Sequence, residues 1–355
     1  MRRLSSTVAR LTAFRRGSLT SSGDPGRLTD VAFIPNPGAL VARTYIPANL
    51  VPGAPLVVVL HGCTQNAALY DRGSGWSEFA DRHGFALLFP EQERGNNFNL
   101  CFNWYHAADA RRGRGEAASI AAMIAHVTKA HRLDPARVFI NGLSAGGAMT
   151  MVMLACYPEL FAGGAVIAGL PFAVAEGTPE ALEAMRGQSL PSRRALAASL
   201  ASASDYRGPW PTLSVWHGAA DHVVANANAT AIVNQWRDLI GLGTVEGIRD
   251  KVDGQRRTTW HDSKGKIAIE RYDIAGMGHG TPLATRGGEA CGQPGPHMLE
   301  AGICSTSRLA ESWGIATGAK APRHPAPHIA PPPVAAATGV GAVIEDALRA
   351  AGLMR

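Results

Sequence analysis

The chain has 355 residues, of which 46% are hydrophobic and 17% charged, so a large core is expected and global disorder is excluded. No apolar run approaches the ~18 residues that a bilayer-spanning helix needs, so we expect no integral membrane segment. The net charge of +6 comes from the ends, with six Arg against two Asp in residues 1–30 and four basic against two acidic residues in 318–355. The neutral middle offers no basic face for phosphates, so no nucleic-acid partner is expected.

The two ends differ in composition from the middle. Residues 1–30 are basic and rich in Ser and Thr, and arginines interrupt the apolar stretch that a secretory signal requires, so we predict a flexible lead or a segment like a transit peptide. Six of twelve consecutive residues within 318–334 are Pro, which favours an extended linker. Residues 335–355 are Ala-rich with apolar residues at helical spacing, which predicts a short helix. The chemistry is therefore expected within residues 31–317.

The middle of the chain alternates short apolar runs with amphipathic stretches. The run LVVVL at 56–60 is typical of a strand buried on both faces. Further strands are predicted at 85–90, 138–141, 165–168, 213–216 and 267–272, and helices at 76–83, 116–131, 145–156 and 225–240. Such alternation predicts the α/β class, with a mostly parallel sheet covered by helices on both faces.

The clearest chemical signal is Gly142-Leu143-Ser144-Ala145-Gly146, which lies between a predicted strand and a predicted helix. A G-x-S-x-G in this context predicts a nucleophile elbow, a sharp turn that raises the serine hydroxyl above the sheet. The Ala145 N–H at the helix N-terminus is then a candidate donor to a developing oxyanion. A glycine-rich turn without chemistry is the alternative, although such a turn has no need of a serine.

A second signal, His61-Gly62-Cys63, directly follows the strand LVVVL. In hydrolases with a nucleophile elbow, a backbone N–H after this strand completes the oxyanion hole, so the Cys63 N–H is the second candidate donor. The His61 side chain is expected only to shape the loop. It precedes the nucleophile, whereas the base comes last in this chain order.

The order Ser, acid, His restricts the search for the partners of Ser144. The histidines after Ser144 are His217, His222, His261, His279, His297, His324 and His328, of which the last two lie in the Pro-rich tail. His279 in the flexible GMGHG turn follows a predicted strand and is the candidate base. Asp221 follows the strand 213–216 and is the candidate acid, which would hold the imidazole tautomer. Its alternative role is that of a helix N-cap.

Five cysteines are too few for a disulfide scaffold. Cys63 and Cys101 flank the predicted site, and Cys291 and Cys304 close a short loop, so two disulfides are one interpretation and five reduced thiols the other. Cys156 lies in an apolar helical stretch and is expected to be a buried free thiol. The sequence contains no metal-binding motif or dinucleotide fingerprint, so no metal and no cofactor are predicted.

Several motifs in chain order carry a family resemblance. They are HGCTQN at 61–66, GSGW at 73–76, PEQ at 90–92, NLCFNWY at 99–105, RGRGEAASIAAMI at 112–124, GLSAGGAM at 142–149, AGLP at 168–171 and GMGHG at 276–280. Residues 31–317 thereby resemble the poly(3-hydroxybutyrate) depolymerase family of α/β-hydrolase esterases, to which feruloyl and acetylxylan esterases are similar.

The resemblance implies the α/β-hydrolase fold and a serine esterase with Ser144, Asp221 and His279 as its triad. It implies that Cys63 and Cys101 pair beside the active site, and that the protein is extracellular; a cytoplasmic location is the alternative. The implied substrate is poly- or oligo(3-hydroxybutyrate) or a related short-chain ester, with a feruloyl or acetylxylan ester as the alternative. A non-catalytic protein that contacts polymer granules through its ends is the alternative of another class.

Overall fold

The computed structural model describes residues 26–286 and 290–316. The predicted linker at 318–334, the predicted helix at 335–355 and most of the N-terminal lead lie outside the described residues. The Arg27 guanidinium already contacts the side chains of Tyr45 and Asp81, and strand β1 (Thr29–Val31) pairs antiparallel with the next strand. The folded unit therefore includes residues before the predicted boundary at residue 31.

The centre of the molecule is a ten-stranded sheet in the order β1-β2-β4-β3-β5-β6-β7-β10-β9-β8. Its six inner strands are parallel: β3 (Leu56–Leu60), β4 (Ala86–Glu91), β5 (Val138–Leu143), β6 (Gly163–Ile167), β7 (Thr212–Gly218) and β10 (Ile267–Ile274). Antiparallel strands flank them, namely β1 and β2 (Val41–Tyr45) on one side and β9 (Gln255–His261) and β8 (Ile248–Val252) on the other. The predicted mostly parallel sheet is confirmed.

The hairpin β8–β9 is an addition to the predicted elements, because the sequence predicts no strand between the helix at 225–240 and the strand at 267–272. β8 is exposed at almost every residue and lies at the sheet edge, so its sequence lacks the apolar pattern by which a buried strand is found. Pairing with β9, which itself pairs with β10, supplies the backbone hydrogen bonds that hold it in place.

Eight α-helices lie within the described residues: α1 (Ala67–Ser74), α2 (Trp76–His83), α3 (Gly115–Ala130), α4 (Ala145–Cys156), α5 (Thr178–Met185), α6 (Arg193–Ala201), α7 (Ala227–Leu239) and α8 (Ser305–Ser312). The four predicted helices correspond to α2, α3, α4 and α7, and the sequence predicts no helix at the positions of the other four. None of these helices is long and apolar enough to cross a membrane.

The sheet separates the apolar core into two layers, and helices cover the layer on each face. Leu56, Val58 and Leu60 of β3 pack in the layer beneath α3 to α7, and Val57 and Val59 pack in the layer beneath α1, α2 and α8. Both faces of β3 are thus buried, which is why its sequence is an unbroken apolar run.

Backbone hydrogen bonds join the carboxyl ends of neighbouring strands into one continuous edge. Beyond β5, the Ser144 N–H donates to the last carbonyl of β6 at 2.9 Å, and the Ala168 N–H beyond β6 donates to a carbonyl near the end of β7 at 2.8 Å. Beyond β7, the Ala219 N–H donates to the last carbonyl of β10 at 2.8 Å. The loops that follow these strands therefore meet at one edge, where ligands bind in open α/β sheets.

Candidate active site

The predicted nucleophile Ser144 occupies a strained turn between β5 and α4. Its φ of 57° and ψ of −116° lie outside the regions that non-glycine residues ordinarily adopt. A Cβ on Gly142 would lie 2.3 Å from the Gly146 carbonyl oxygen, and one on Gly146 would lie 2.4 Å from the Leu60 carbonyl oxygen. Both flanking glycines are therefore required by close backbone contact, as the elbow hypothesis expects.

The two predicted oxyanion donors, the N–H groups of Cys63 and Ala145, have no hydrogen-bond acceptor among the described residues. Neighbouring N–H groups of the Cys63 loop do donate to protein acceptors. The Ala145 N–H lies at the first turn of α4, where four such groups have no partner within the helix. Both remain available to an anionic oxygen.

The predicted acid Asp221 has both of its carboxylate oxygens engaged. Oδ1 accepts hydrogen bonds from the N–H groups of Val223 and Val224, each at 2.9 Å, and Oδ2 accepts one from His279 Nδ1 at 2.8 Å. α7 begins six residues later with Asn226 as its N-cap residue, so Asp221 shapes its own turn rather than capping that helix. The same side chain thus orders the loop and orients the histidine.

Burial raises the pKa of Asp221. The hydrogen bond and charge of His279 lower this pKa, as do the two backbone N–H donors, and together they outweigh the effect of burial. The net pKa of the carboxyl lies below its ordinary value, so Asp221 is ionised at neutral pH. An ionised carboxylate at Nδ1 keeps the proton on that nitrogen and leaves Nε2 free to accept one.

The loop that carries the predicted base His279 is held against the end of β7. The Ala220 N–H donates to the Met277 carbonyl at 2.9 Å. A Cβ on Gly218 would lie 2.3 Å from the same carbonyl oxygen and 2.4 Å from that of Gly278. The glycine that ends β7 therefore permits the close approach by which His279 reaches Asp221.

The alternative bases occupy other positions. His217 is buried beneath Asp221, and its Nε2 lies 2.8 Å from the Val224 carbonyl oxygen, to which it donates. Burial lowers the pKa of His217 below its ordinary value, so the ring is neutral and its donor is committed. His261 ends β9 in the antiparallel edge of the sheet.

The Ser144 hydroxyl forms no hydrogen bond among the described residues. Its contact with His279 therefore belongs to the functional proposal below.

Both predicted disulfides are present. Cys63 and Cys101 are bonded with their Cα atoms 4.2 Å apart, and Cys291 and Cys304 are bonded with their Cα atoms 6.2 Å apart. Cys156 is a buried free cysteine, as expected from its apolar surroundings.

The loop that carries Cys63 is fixed by side chains as well as by its disulfide. The Gly62 N–H donates to Gln65 Oε1 at 2.9 Å, and the Thr64 N–H donates to the Asn99 carbonyl at 2.7 Å. His61 Nδ1 lies 2.8 Å from the Gly62 carbonyl oxygen and donates to it. The expectation that His61 shapes the loop therefore agrees with its contacts.

A buried polar network lies behind this loop. His61 Nε2 accepts a hydrogen bond from the Gln92 N–H at 3.1 Å, and burial lowers the pKa of His61 to about 4, so the ring is neutral. The Gln92 side chain donates to the Cys101 carbonyl at 3.0 Å and to Glu116 Oε1 at 2.6 Å. The network thus connects both cysteines of the first disulfide to α3.

Glu116 is the residue of this network that sequence reasoning missed, although it stands in one of the quoted motifs. It is fully buried and accepts hydrogen bonds from Asn103 N–H at 2.8 Å and Asn103 Nδ2 at 2.7 Å. Burial raises the pKa of Glu116 to about 8, although these donors favour the charged form. A single acid on the apolar stripe of α3 is the signal that could have found it.

We expect the raised pKa of Glu116 to reduce the stability of the protein as pH increases. Between about pH 4.5 and pH 8 the unfolded chain ionises this carboxyl while the folded protein retains its proton, so the unfolding free energy declines by on the order of 5 kcal/mol. Glu116→Gln cannot ionise, and urea unfolding at several pH values should show that this decline is absent. Contributions common to both proteins, such as that of His61, cancel in the comparison.

Glu93→Gln is the matched control, because Glu93 is an exposed glutamate beside the same network. It should retain the pH dependence of the parent protein. An unchanged pH dependence in Glu116→Gln would contradict the assignment.

Comparisons with known proteins identify the family and the fold of the chain. The family model described as Esterase PHB depolymerase matches residues 40–259, more than half of the chain. Poly(3-hydroxyalkanoate) depolymerase C of Paucimonas lemoignei is 40% identical over 299 residues, which cover 83% of this chain and 72% of that protein. Feruloyl esterase B of Talaromyces stipitatus is 31% identical over 265 residues, 72% of each chain.

Among solved structures, an acetyl xylan esterase from Aspergillus awamori superposes with a TM-score of 0.65 at 26% identity, and the match covers 72% of this chain and 94% of that one. The chain belongs to the Esterase PHB depolymerase family and has the α/β-hydrolase fold.

Proposed function

We propose that the chain is a serine esterase in which Ser144 is the nucleophile, His279 the general base and Asp221 the acid that orients the histidine. The observation that carries this proposal is the 2.8 Å hydrogen bond from His279 Nδ1 to a buried Asp221, at the same sheet edge as the strained Ser144 turn. A non-catalytic granule-binding protein, the alternative of another class, has no need of this pair.

The reaction follows from these groups. His279 Nε2 takes the hydroxyl proton of Ser144 as Oγ bonds to the ester carbonyl carbon, and the carbonyl oxygen becomes an oxyanion that the N–H groups of Cys63 and Ala145 receive. The bond between the carbonyl carbon and the alcohol oxygen then breaks, as His279 Nε2 gives the proton to that leaving oxygen. Water cleaves the acyl-enzyme by the same route, which releases the acid and restores the hydroxyl.

The substrate we propose is poly- or oligo(3-hydroxybutyrate) or a related short-chain hydroxyalkanoate ester. The 40% identity to a poly(3-hydroxyalkanoate) depolymerase over most of this chain supports it. The second candidate is a feruloyl or acetyl ester of a carbohydrate. It is supported by the similarity to feruloyl esterase B and by the superposition on an acetyl xylan esterase. The sequence identity to both is lower than that to the depolymerase.

The test is hydrolysis of soluble 3-hydroxybutyrate oligomers, polymer particles, methyl ferulate and acetylated xylan by one preparation. The proposal expects the highest kcat/KM on the hydroxybutyrate esters. A higher value on either carbohydrate ester would transfer the proposal to the second candidate. Labelling by a fluorophosphonate with peptide mapping to Ser144 tests the nucleophile independently of the substrate.

Removal of residues 1–25 and 317–355 should leave the hydrolysis of a soluble ester within about twofold of the full chain, because every proposed catalytic group lies between these ends. Residues 26–30 are kept because Arg27 and β1 are part of the sheet. A folded truncation that cannot turn over a soluble ester would contradict this. Loss of activity on particles alone would assign polymer contact to the ends.

We further propose that the protein acts outside the cytoplasm. Two disulfides support this, since such bonds persist in oxidising compartments. Fractionation of cells that make the full chain, with thiol alkylation before digestion, tests it. Protein confined to the cytoplasm with all five cysteines alkylated would overturn it.

A further inference from the structure

The loop that carries His279 contacts the end of β7 through the residues before the histidine, so the peptide after His279 depends on other contacts. Gly276, Gly278 and Gly280 surround the histidine, and a Cβ on either of the first two would meet no atom within 4 Å. Glycine has more accessible backbone conformations than any other residue, so such a loop needs restraint from outside. The hydrogen bond to Asp221 restrains the imidazole but not the peptide that follows it.

That restraint comes from the segment enclosed by the second disulfide, which we call the 291–304 loop. His297 contacts the two peptides on either side of Gly280: its Nδ1 lies 3.0 Å from the His279 carbonyl oxygen, and its own carbonyl accepts from the Thr281 N–H at 2.8 Å. A Cβ on Gly280 would lie 2.7 Å from the same His297 carbonyl oxygen. One residue therefore holds both peptides of Gly280, the residue that directly follows the proposed base.

The 291–304 loop is itself anchored to the corner between α1 and α2. The Gln293 N–H donates to the Gly73 carbonyl at 3.0 Å, and a Cβ on Gly75 would lie 2.7 Å from the Gly292 nitrogen. Just beyond the loop, Thr306 Oγ1 donates to a carbonyl of this corner at 2.8 Å. Because α1 directly follows the Cys63 loop, one anchored unit connects the proposed base with the proposed oxyanion donors.

We propose that His297 is a positioning residue, whose Nδ1–H fixes the His279 peptide so that the imidazole keeps Nδ1 on Asp221 and directs Nε2 to Ser144. This inference rests on the proposed function. The partner of Nδ1 is a carbonyl oxygen, so that nitrogen carries the proton. The two imidazole rings meet edge to face with centroids 5.6 Å apart, and the hydrogen bond of the His297 side chain goes to the backbone of His279 rather than to its imidazole.

Two substitutions, His297→Asn and His297→Gly, separate the hydrogen bond from the backbone. His297 has a φ of 61°, which Gly and Asn tolerate. The asparagine side chain can place an amide N–H near the position of the imidazole Nδ1, whereas glycine has no side-chain donor. With a soluble ester, His297→Gly should lower kcat by about 10- to 100-fold with KM within about twofold, because a small displacement of a catalytic group has an effect of this size. His297→Asn should recover kcat to within about threefold.

The same variants are compared by thermal unfolding and by the far-downfield proton resonance of the His279–Asp221 hydrogen bond. We expect the resonance to broaden in His297→Gly and to persist in His297→Asn, with both variants folded. Unchanged kcat in His297→Gly, equal losses in both variants, or a loss that matches the fraction unfolded would each overturn the proposal. His279→Ala is measured beside them, since full activity there would refute the proposed function instead.

Discussion

Ser144→Ala is expected to reduce ester hydrolysis to background while the far-UV circular dichroism spectrum stays that of the parent protein. Alanine is expected to fit the turn, because it has the same Cβ as serine and because no hydrogen bond of the Ser144 hydroxyl holds the turn among the described residues. Asp221→Asn and His279→Ala should each lower kcat by on the order of 10³–10⁶, since the members of a triad act as a unit. Asparagine offers an amide to His279 Nδ1 and favours the wrong tautomer.

His222→Ala is the matched control for these substitutions. It lies next to Asp221 but is exposed, and no hydrogen bond to the Asp–His pair involves it among the described residues. It should retain full activity. Near-normal hydrolysis by Ser144→Ala would end the serine-esterase proposal, and an active His279→Ala together with an inactive His261→Ala would show that the base is misassigned.

Loss of the first disulfide is expected to have the second largest effect. In the double variant Cys63→Ala/Cys101→Ala, the loop at residue 63 loses its disulfide. It keeps the hydrogen bond that the Thr64 N–H donates to the Asn99 carbonyl. Removal of one oxyanion donor lowers kcat by roughly 10²- to 10³-fold. A Cys63 N–H that is present but less well positioned should therefore lower kcat by about 10- to 100-fold. The bond spans 38 residues of sequence, and in the chain-entropy model its loss lowers the unfolding free energy by about 3–4 kcal/mol.

Steady-state kinetics and thermal unfolding measure the two effects separately. Cys156→Ala is the control, because it removes the buried free thiol and leaves both disulfides in place. It should keep kcat. Wild-type kcat in the double variant would remove the catalytic role of the bond, and free thiols at both positions in an unreduced digest of the native protein would refute the bond itself.

Residues whose function depends on local geometry were predictable from the sequence. The turn at Ser144 needs glycines two residues away on each side, and the strand before it and the helix after it are visible as apolar patterns. Asp221 and His279 followed from chain order, because parallel strands bring their carboxyl ends to one edge. The structure joins these two residues across 58 positions of sequence, as that order predicts.

Residues whose function depends on distant contacts were not predictable. His297 was one histidine among several after Ser144, and only the folded chain places its Nδ1 at the His279 carbonyl. Glu116 reads as a charged helix residue, and its burial depends on Gln92 and Asn103 arriving from other loops. The exposed hairpin strand β8 is likewise held by pairing rather than by its own apolar pattern.

The sequence by itself determined the α/β class, the order of the inner strands and helices along the chain, and the identity of the three candidate catalytic residues, because periodicity, turn chemistry and chain order are local properties. Only the tertiary structure decided which backbone and side-chain groups hold those residues in place. The 291–304 loop meets the corner at Gly73 across more than 200 residues. Such contacts are selected by packing and by the need to pair every buried polar group, and no local pattern encodes them.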